Sequence, residues 1–140
     1  MAVELLRAHD AIIRRCLKQH GGSEVKHLGD GIMASFADVP ASVACAMKIQ
    51  DEFASNEIGA TPIRVRIGIH AGEPVEDSDD LFGSAVQMAA RICEIAQASA
   101  ILVSREVREA CAGVDLVFAP VSSETLKGFS EPVQLLSPAR

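Results

Sequence analysis

No tryptophan and no tyrosine occur in the 140 residues, and five phenylalanines are the only aromatics, 4% of the chain. Stacking platforms for single-stranded nucleic acid need several exposed rings and are thereby nearly excluded. Positive charge is also short, since 13 Lys and Arg against 19 Asp and Glu leave a net charge of −6. A chain with that balance has no bulk attraction to nucleic acid or to an anionic membrane. An anionic ligand must instead be held by a few placed cations. No apolar run approaches the roughly 18 residues of a membrane span, and Glu4 and Arg7 interrupt the first apolar stretch, which argues against a signal peptide. Cys16, Cys45, Cys93 and Cys111 lack any C-x-x-C spacing and read as reduced core residues of a cytoplasmic protein. His9, His20, His27 and His70 are equally dispersed, so no zinc pattern is present.

Apolar spacing organises what remains. Val3, Leu6, Ile13 and Leu17, with Leu5, Ile12 and Cys16, recur every three to four residues and predict a helix over residues 3–19, stopped by Gly21 and Gly22. Residues 24–28 and 32–36 predict two short strands joined by a tight Gly29-Asp30-Gly31 turn. Pro40 opens a second helix to about residue 54, with Val43, Ala46, Met47, Ile49 and Phe53 on its apolar stripe. Residues 63–70 alternate, with Ile63, Val65, Ile67 and Ile69 on one side and Arg64, Arg66, Gly68 and His70 on the other, which predicts a strand. A helix over 84–98, a strand over 100–103, a brief helix N-capped by Ser104 and strands over 115–119 and 132–136 follow. This order gives an α+β class with helices packed on one sheet face.

Several polar positions suit a phosphate-bearing ligand, and each has a plainer reading beside it. Asp30, at a hairpin tip between two glycines, suits a hard divalent cation, yet Asp-Gly is also a favoured turn pair. Gln87 and Arg91 are four apart and share one helical face, which Glu94 continues. A guanidinium there can clamp a phosphate, although a solvated polar face gives the same pattern. Lys26 precedes His27 on the strand leading into the turn. Asp80 ends an acidic loop from Glu76, where charge also favours the start of the next helix. Lys127 lies in a loop near the C-terminus, where a surface charge is ordinary.

Taken together and in order, these segments resemble the class III nucleotidyl cyclases, the adenylate and guanylate cyclases. The stretch Val25-Lys26-His27-Leu28-Gly29-Asp30-Gly31-Ile32-Met33-Ala34-Ser35-Phe36 carries the likeness first. Ile63-Arg64-Val65-Arg66-Ile67-Gly68-Ile69-His70-Ala71-Gly72 follows, then the run from Asp80-Leu81-Phe82-Gly83 to Arg91, then Leu126-Lys127-Gly128-Phe129. The resemblance extends from about residue 4 to residue 136. It implies a ferredoxin-like sheet with helices on one face, and one cyclase-type catalytic domain over 1–140.

By this resemblance the chain is an adenylate cyclase, a phosphorus–oxygen lyase that converts ATP to 3′,5′-cyclic AMP and pyrophosphate at a homodimer interface. Asp30 matches one of two metal-binding aspartates, for Mg²⁺ or Mn²⁺. Arg91 matches the arginine that stabilises the transition state, Gln87 stands where many relatives have a ribose-orienting asparagine, and Lys127 matches the region that contacts the terminal phosphates. Lys26 and Asp80 match the two base-reading positions. Adenine offers an acceptor at N1 and a donor at N6, so a lysine and an aspartate complement it, while guanine reverses both positions.

Phe129 follows Lys127-Gly128 where many relatives have a second lysine. Two departures from the family pattern matter. Gln87, in place of the asparagine, keeps the amide and adds one methylene, so it could orient the ribose with shifted geometry. More seriously, family domains open with a strand carrying the other metal aspartate in a Phe-x-Asp-Ile-x-Gly-x-Thr-like run, and no such run exists here. The expected architecture is thus the cyclase domain missing its first strand, N-terminally incomplete, with turnover strongly impaired. Its exposed groove would be repaired by an unusual dimer, a swapped segment or a sheet one strand short. The alternative is a non-catalytic nucleotide-binding or regulatory dimerisation module. Neither reading requires nucleic acid or membrane insertion, and both admit an upstream regulatory module.

Overall fold

The computed structural model describes residues 3–28, 31–55, 63–72 and 84–139. The polypeptide divides into two compact units, Met1–Val65 and Arg66–Arg140. The first holds α1 (Val3–Gln19), β1 (Ser23–Leu28), β2 (Gly31–Ser35) and α2 (Val39–Ser55). α1 ends where the glycines predict. Gly21 takes φ +75° and the Gly22 N–H reaches back to the Leu17 carbonyl at 2.8 Å, a left-handed stop that glycine adopts without strain. Gly22 is needed for space, because a Cβ there would lie 2.6 Å from the Phe36 ring. α2 starts one residue before Pro40, with the Asp38 carboxylate accepting the Ala41 N–H at 3.2 Å as an N-cap. Ile12, Ile13, Cys16 and Leu17 of α1 and Val43, Cys45, Ala46, Ile49 and Phe53 of α2 are buried, and the two helices pack together.

Polar contacts hold β1 against α1. The Asp10 carboxylate, in a residue only 8% exposed, accepts hydrogen bonds from His9 Nδ1 and His27 Nε2, both at 2.9 Å. One helical turn further on, Arg14 Nε donates to Glu24 at 2.7 Å. The His9 ring lies 5.6 Å from that of Phe53, which ties the cluster to α2. A carboxylate offers only acceptors, so each proton sits on the imidazole. Burial pushes the Asp10 carboxyl up, but the two histidine hydrogen bonds and charges outweigh it and hold the group below its ordinary 3.8.

The second unit contains β3 (Ile67–Ile69), α3 (Ser84–Ile95), β4 (Ile101–Ser104), α4 (Arg105–Ala110), β5 (Val117–Thr125) and β6 (Pro132–Ala139). Its sheet order is β3-β4-β6-β5, with β3 parallel to β4 and the other pairs antiparallel. Among the described residues β1 and β2 form a separate pair, and β2 and β3 each have a ladder partner on one edge only. The architecture is mixed α and β with open sheets, in keeping with the expected class. The core of this unit is Ile92, Ala96, Leu102, Leu126 and Leu135, with Met88, Phe129 and Val133 packed against it.

Several elements differ from their sequence-based bounds. β3 is shorter than 63–70, because a strand needs a partner and β4 meets this segment only from Ile101, opposite Ile67. Upstream, Ile63 is buried and Arg64 and Arg66 are exposed, so alternation persists without a ladder. α3 stops at Ile95 rather than 98. The Ala96 N–H is shared between the Ile92 and Cys93 carbonyls, Arg66 Nη1 donates to the Glu94 carbonyl at 3.2 Å, and Ser99 takes φ +68°. Ser104 does precede α4, but its hydroxyl makes no cap bond and shares a 2.8 Å hydrogen bond with His70 Nδ1. β5 and β6 outrun 115–119 and 132–136 because each extends the other's ladder, from Val117 opposite Ala139 to Thr125 opposite Pro132. The cysteines are all free, and burial pushes the Cys45 thiol up to about 11, in line with inert core residues.

α3 lies directly on β3 at Gly68. A Cβ there would stand 2.7 Å from Cys93 Cα and 2.9 Å from the Ala89 carbonyl oxygen. Gly68→Ala is therefore expected to cost about 3 kcal/mol in urea unfolding, since backbone rather than a mobile side chain must yield. Asp10→Asn is expected to cost about 2 kcal/mol at pH 7. Because the folded carboxyl titrates below its unfolded value, that difference is full above pH 3.8 and fades as pH falls further. A difference between the two proteins that persists undiminished at pH 2–3 would contradict this.

Candidate functional site

Gly68 sets the platform for the helix that carries two of the predicted site residues. With α3 seated on β3, Met88 and Ile92 turn into the core beside Leu126, Leu135 and Phe129. Gln87 and Arg91 each precede one of these core residues and share the adjoining face, Gln87 exposed and Arg91 half-buried. The same core anchors Lys127. Leu126 is 5% exposed, and the Phe129 N–H donates to the Leu126 carbonyl at 3.0 Å. Between them Gly128 takes φ +91°, the positive value that the third position of a type II turn requires. Lys127 is thus an exposed side chain at the second position of a turn whose ends are fixed in apolar packing. Phe129 is one of those anchors.

The electrostatics leave Arg91 available. Its Nη1 contacts both carboxylate oxygens of Glu94, at 3.0 and 3.2 Å, and the two side chains are 34% and 60% exposed. An exposed pair of this kind is worth about 0–1 kcal/mol, so a phosphate can displace Glu94 at little cost. His70 lies on the same sheet face as Gly68. Burial lowers its pKa, against the opposing charge of Glu106, so the imidazole bonded to Ser104 is neutral at pH 7.

The structure groups Gln87, Arg91 and Lys127 in one unit on one core, while Lys26 belongs to the other unit, exposed on β1 next to His27. Asp30 and Asp80 lie outside the described residues. Among the described residues no group of three or more His, Cys, Asp or Glu could hold a metal ion. The carboxylate oxygens of Asp10 are each occupied by an imidazole. A shallow open depression lined by Arg105, Glu106, Ser123, Pro132, Val133 and Gln134 contains none of the predicted site residues. No helix among the described residues is long and apolar enough to cross a membrane. Sequence reasoning missed the grouping of His9, Asp10 and His27. One signal was present, since His9 and Asp10 occupy core positions of the first helix's apolar stripe, between Leu6 and Ile13.

Comparison with known proteins completes this picture. The family described as the adenylate and guanylate cyclase catalytic domain matches residues 1–135. The chain is 26% identical over 134 residues to the serine/threonine-protein kinase pkn2 of Myxococcus xanthus, covering 94% of this chain and 16% of the kinase. It is 33% identical over 128 residues to an adenylate cyclase of Mycosarcoma maydis, covering 73% of this chain and 5% of that protein. It therefore spans only a small part of either relative. The crystal structure of an adenylate/guanylate cyclase/hydrolase from Silicibacter pomeroyi matches with a TM-score of 0.79 at 30% identity, covering 94% of this chain and 80% of that one. Because that family match runs over residues 1–135, the chain belongs to the adenylate and guanylate cyclase catalytic domain family.

Proposed function

We propose that residues 1–140 belong to an adenylate cyclase catalytic domain whose reaction converts ATP to 3′,5′-cyclic AMP and pyrophosphate in a cytoplasmic homodimer, and that turnover by these residues alone is impaired because one of the two metal aspartates is not among them. What supports this reading is that Gln87, Arg91 and Lys127 each adjoin a residue of one core, in a chain of the cyclase family. In the reaction the ribose 3′-oxygen loses its proton and attacks the α-phosphorus, and the bond to the bridging oxygen breaks as pyrophosphate leaves. Little covalent work falls to the protein, so positioning and charge stabilisation dominate. Arg91, released from Glu94, stabilises charge at the α-phosphate. Gln87 orients the ribose and Lys127 holds the terminal phosphates. Asp30 is assigned to a divalent cation, Mg²⁺ or Mn²⁺, which supplies charge against the triphosphate.

Lys26 and Asp80 are assigned to the base. Lysine donates to adenine N1 and aspartate accepts from the N6 amino group, whereas guanine leaves both unpaired at about 1–3 kcal/mol each. The Mycosarcoma maydis relative, named an adenylate cyclase, supports the choice of ATP. In the homodimer one protomer supplies Asp30 and its partner supplies Lys26, Asp80, Gln87 and Arg91. The alternative reading is a nucleotide-binding dimerisation module without turnover.

The test is cyclic AMP formation from ATP with Mn²⁺, on this chain and on one extended upstream by a strand bearing an aspartate. Turnover by the extended chain, with little or none from the 140 residues, is expected. Arg91→Ala in the active protein is expected to lower kcat about a hundredfold or more with little change in KM, as for loss of a group that acts on the transition state. ATP binding without turnover by either chain would replace the enzyme with the module.

A further inference from the structure

The way β1 is fastened to α1 has a consequence for the neighbouring lysine. Glu24 and His27 both reach α1, Glu24 to Arg14 at 2.7 Å and His27 to Asp10 at 2.9 Å. Asp10 and Arg14 are four apart, on one face of the helix. Glu24 and His27 are three apart, and in a regular strand that spacing puts side chains on opposite faces. The bulge reconciles the two. Glu24 is opposite Ala34 and Lys26 opposite Met33, so Val25 is the extra residue that resets the alternation. Without it, Lys26 would follow Glu24 onto the α1 side. With it, His27 faces α1 and Lys26, its neighbour beyond the bulge, stands on the opposite face.

We infer that Asp10 is a positioning residue for Lys26. By holding His27 against α1, it locks the reset alternation of β1 and so fixes the face on which Lys26 is presented to the purine base. This role rests on the base-reading assignment proposed above. Asp10 is itself held, since His9 takes its second oxygen and packs on Phe53 of α2. A carboxylate bonded on both oxygens and backed by a second helix does not swing away, so His27 has one orientation and Lys26 inherits it.

A mutant cycle read on base selectivity tests this. Dissociation constants for ATP and for GTP, each with Mg²⁺, are measured by calorimetry for the full chain, Lys26→Ala, Asp10→Asn and the double variant. Their urea midpoints report folding. Lys26→Ala is expected to reduce the ATP-over-GTP preference about tenfold. Asp10→Asn is expected to reduce it about fivefold, and to add nothing when Lys26 is already alanine, because the two act in series. His27→Gln, which keeps a donor for Asp10, should retain most of the preference that His27→Ala loses. Should Asp10→Asn fold poorly, the His27 pair carries the same comparison. An equal weakening of ATP and GTP by Asp10→Asn, or a further loss in the Lys26→Ala background, makes Asp10 merely structural and overturns the inference while leaving the base-reading role standing. An unchanged preference in Lys26→Ala overturns that role, and the positioning of Lys26 with it.

Discussion

The absence of a side chain at Gly68 is the constraint on which the second unit depends. A strand and a helix normally keep a layer of side chains between them. Here the α3 backbone at Ala89 and Cys93 comes within van der Waals reach of the strand. That approach brings Met88 and Ile92 into a core shared with Leu126, Leu135 and Phe129. Among the candidate site residues, Gln87 and Arg91 are neighbours of its helical members and Lys127 sits between Leu126 and Phe129. Arg66 adds a polar tie on the same strand face by taking the Glu94 carbonyl at the end of α3.

The first unit solves its docking problem differently. Between α1 and β1 the fastening is charged and hydrogen-bonded, with one buried carboxylate shared by two imidazoles and an Arg14–Glu24 pair one turn away. Such contacts add direction that apolar packing lacks, because hydrogen bonds specify both distance and angle. A bulged strand is a place where direction matters, as a slip of one residue would turn every later side chain to the other face. The exposed Arg91–Glu94 pair is the opposite case, weak enough that it parks the guanidinium without committing it.

Much of the fold was legible because its elements are strongly periodic. The first helix ended where its two glycines demanded, and the second began at Pro40 to within one residue, the difference being the Asp38 cap. The failures share a cause. Strand length over 63–70 was read from alternation, which persists where no partner exists, so β3 came out longer than its ladder. β5 and β6 were read too short, because pairing with each other and not local composition sets their ends. The side of that segment carrying Arg66, Gly68 and His70, which alternation only set opposite the isoleucines, engages α3 and Ser104. At the candidate site the order and spacing of Lys26, Asp30, Asp80, Gln87, Arg91 and Lys127 were visible in the sequence. That Phe129 anchors the lysine turn, and that Glu94 intercepts Arg91, were not.

By itself the sequence determined the helices, the stops and the family, all of which rest on residue types at short, fixed spacings. Tertiary structure alone decided which residues separated by long stretches of chain meet: Cys93 over Gly68, Ser104 with His70, and His27 on the Asp10 carboxylate. Periodicity records which way a side chain faces along its own element. It holds no record of what the chain brings to that face, since a contact between distant residues is chosen by the packing of whole elements and not by either residue's neighbours in sequence.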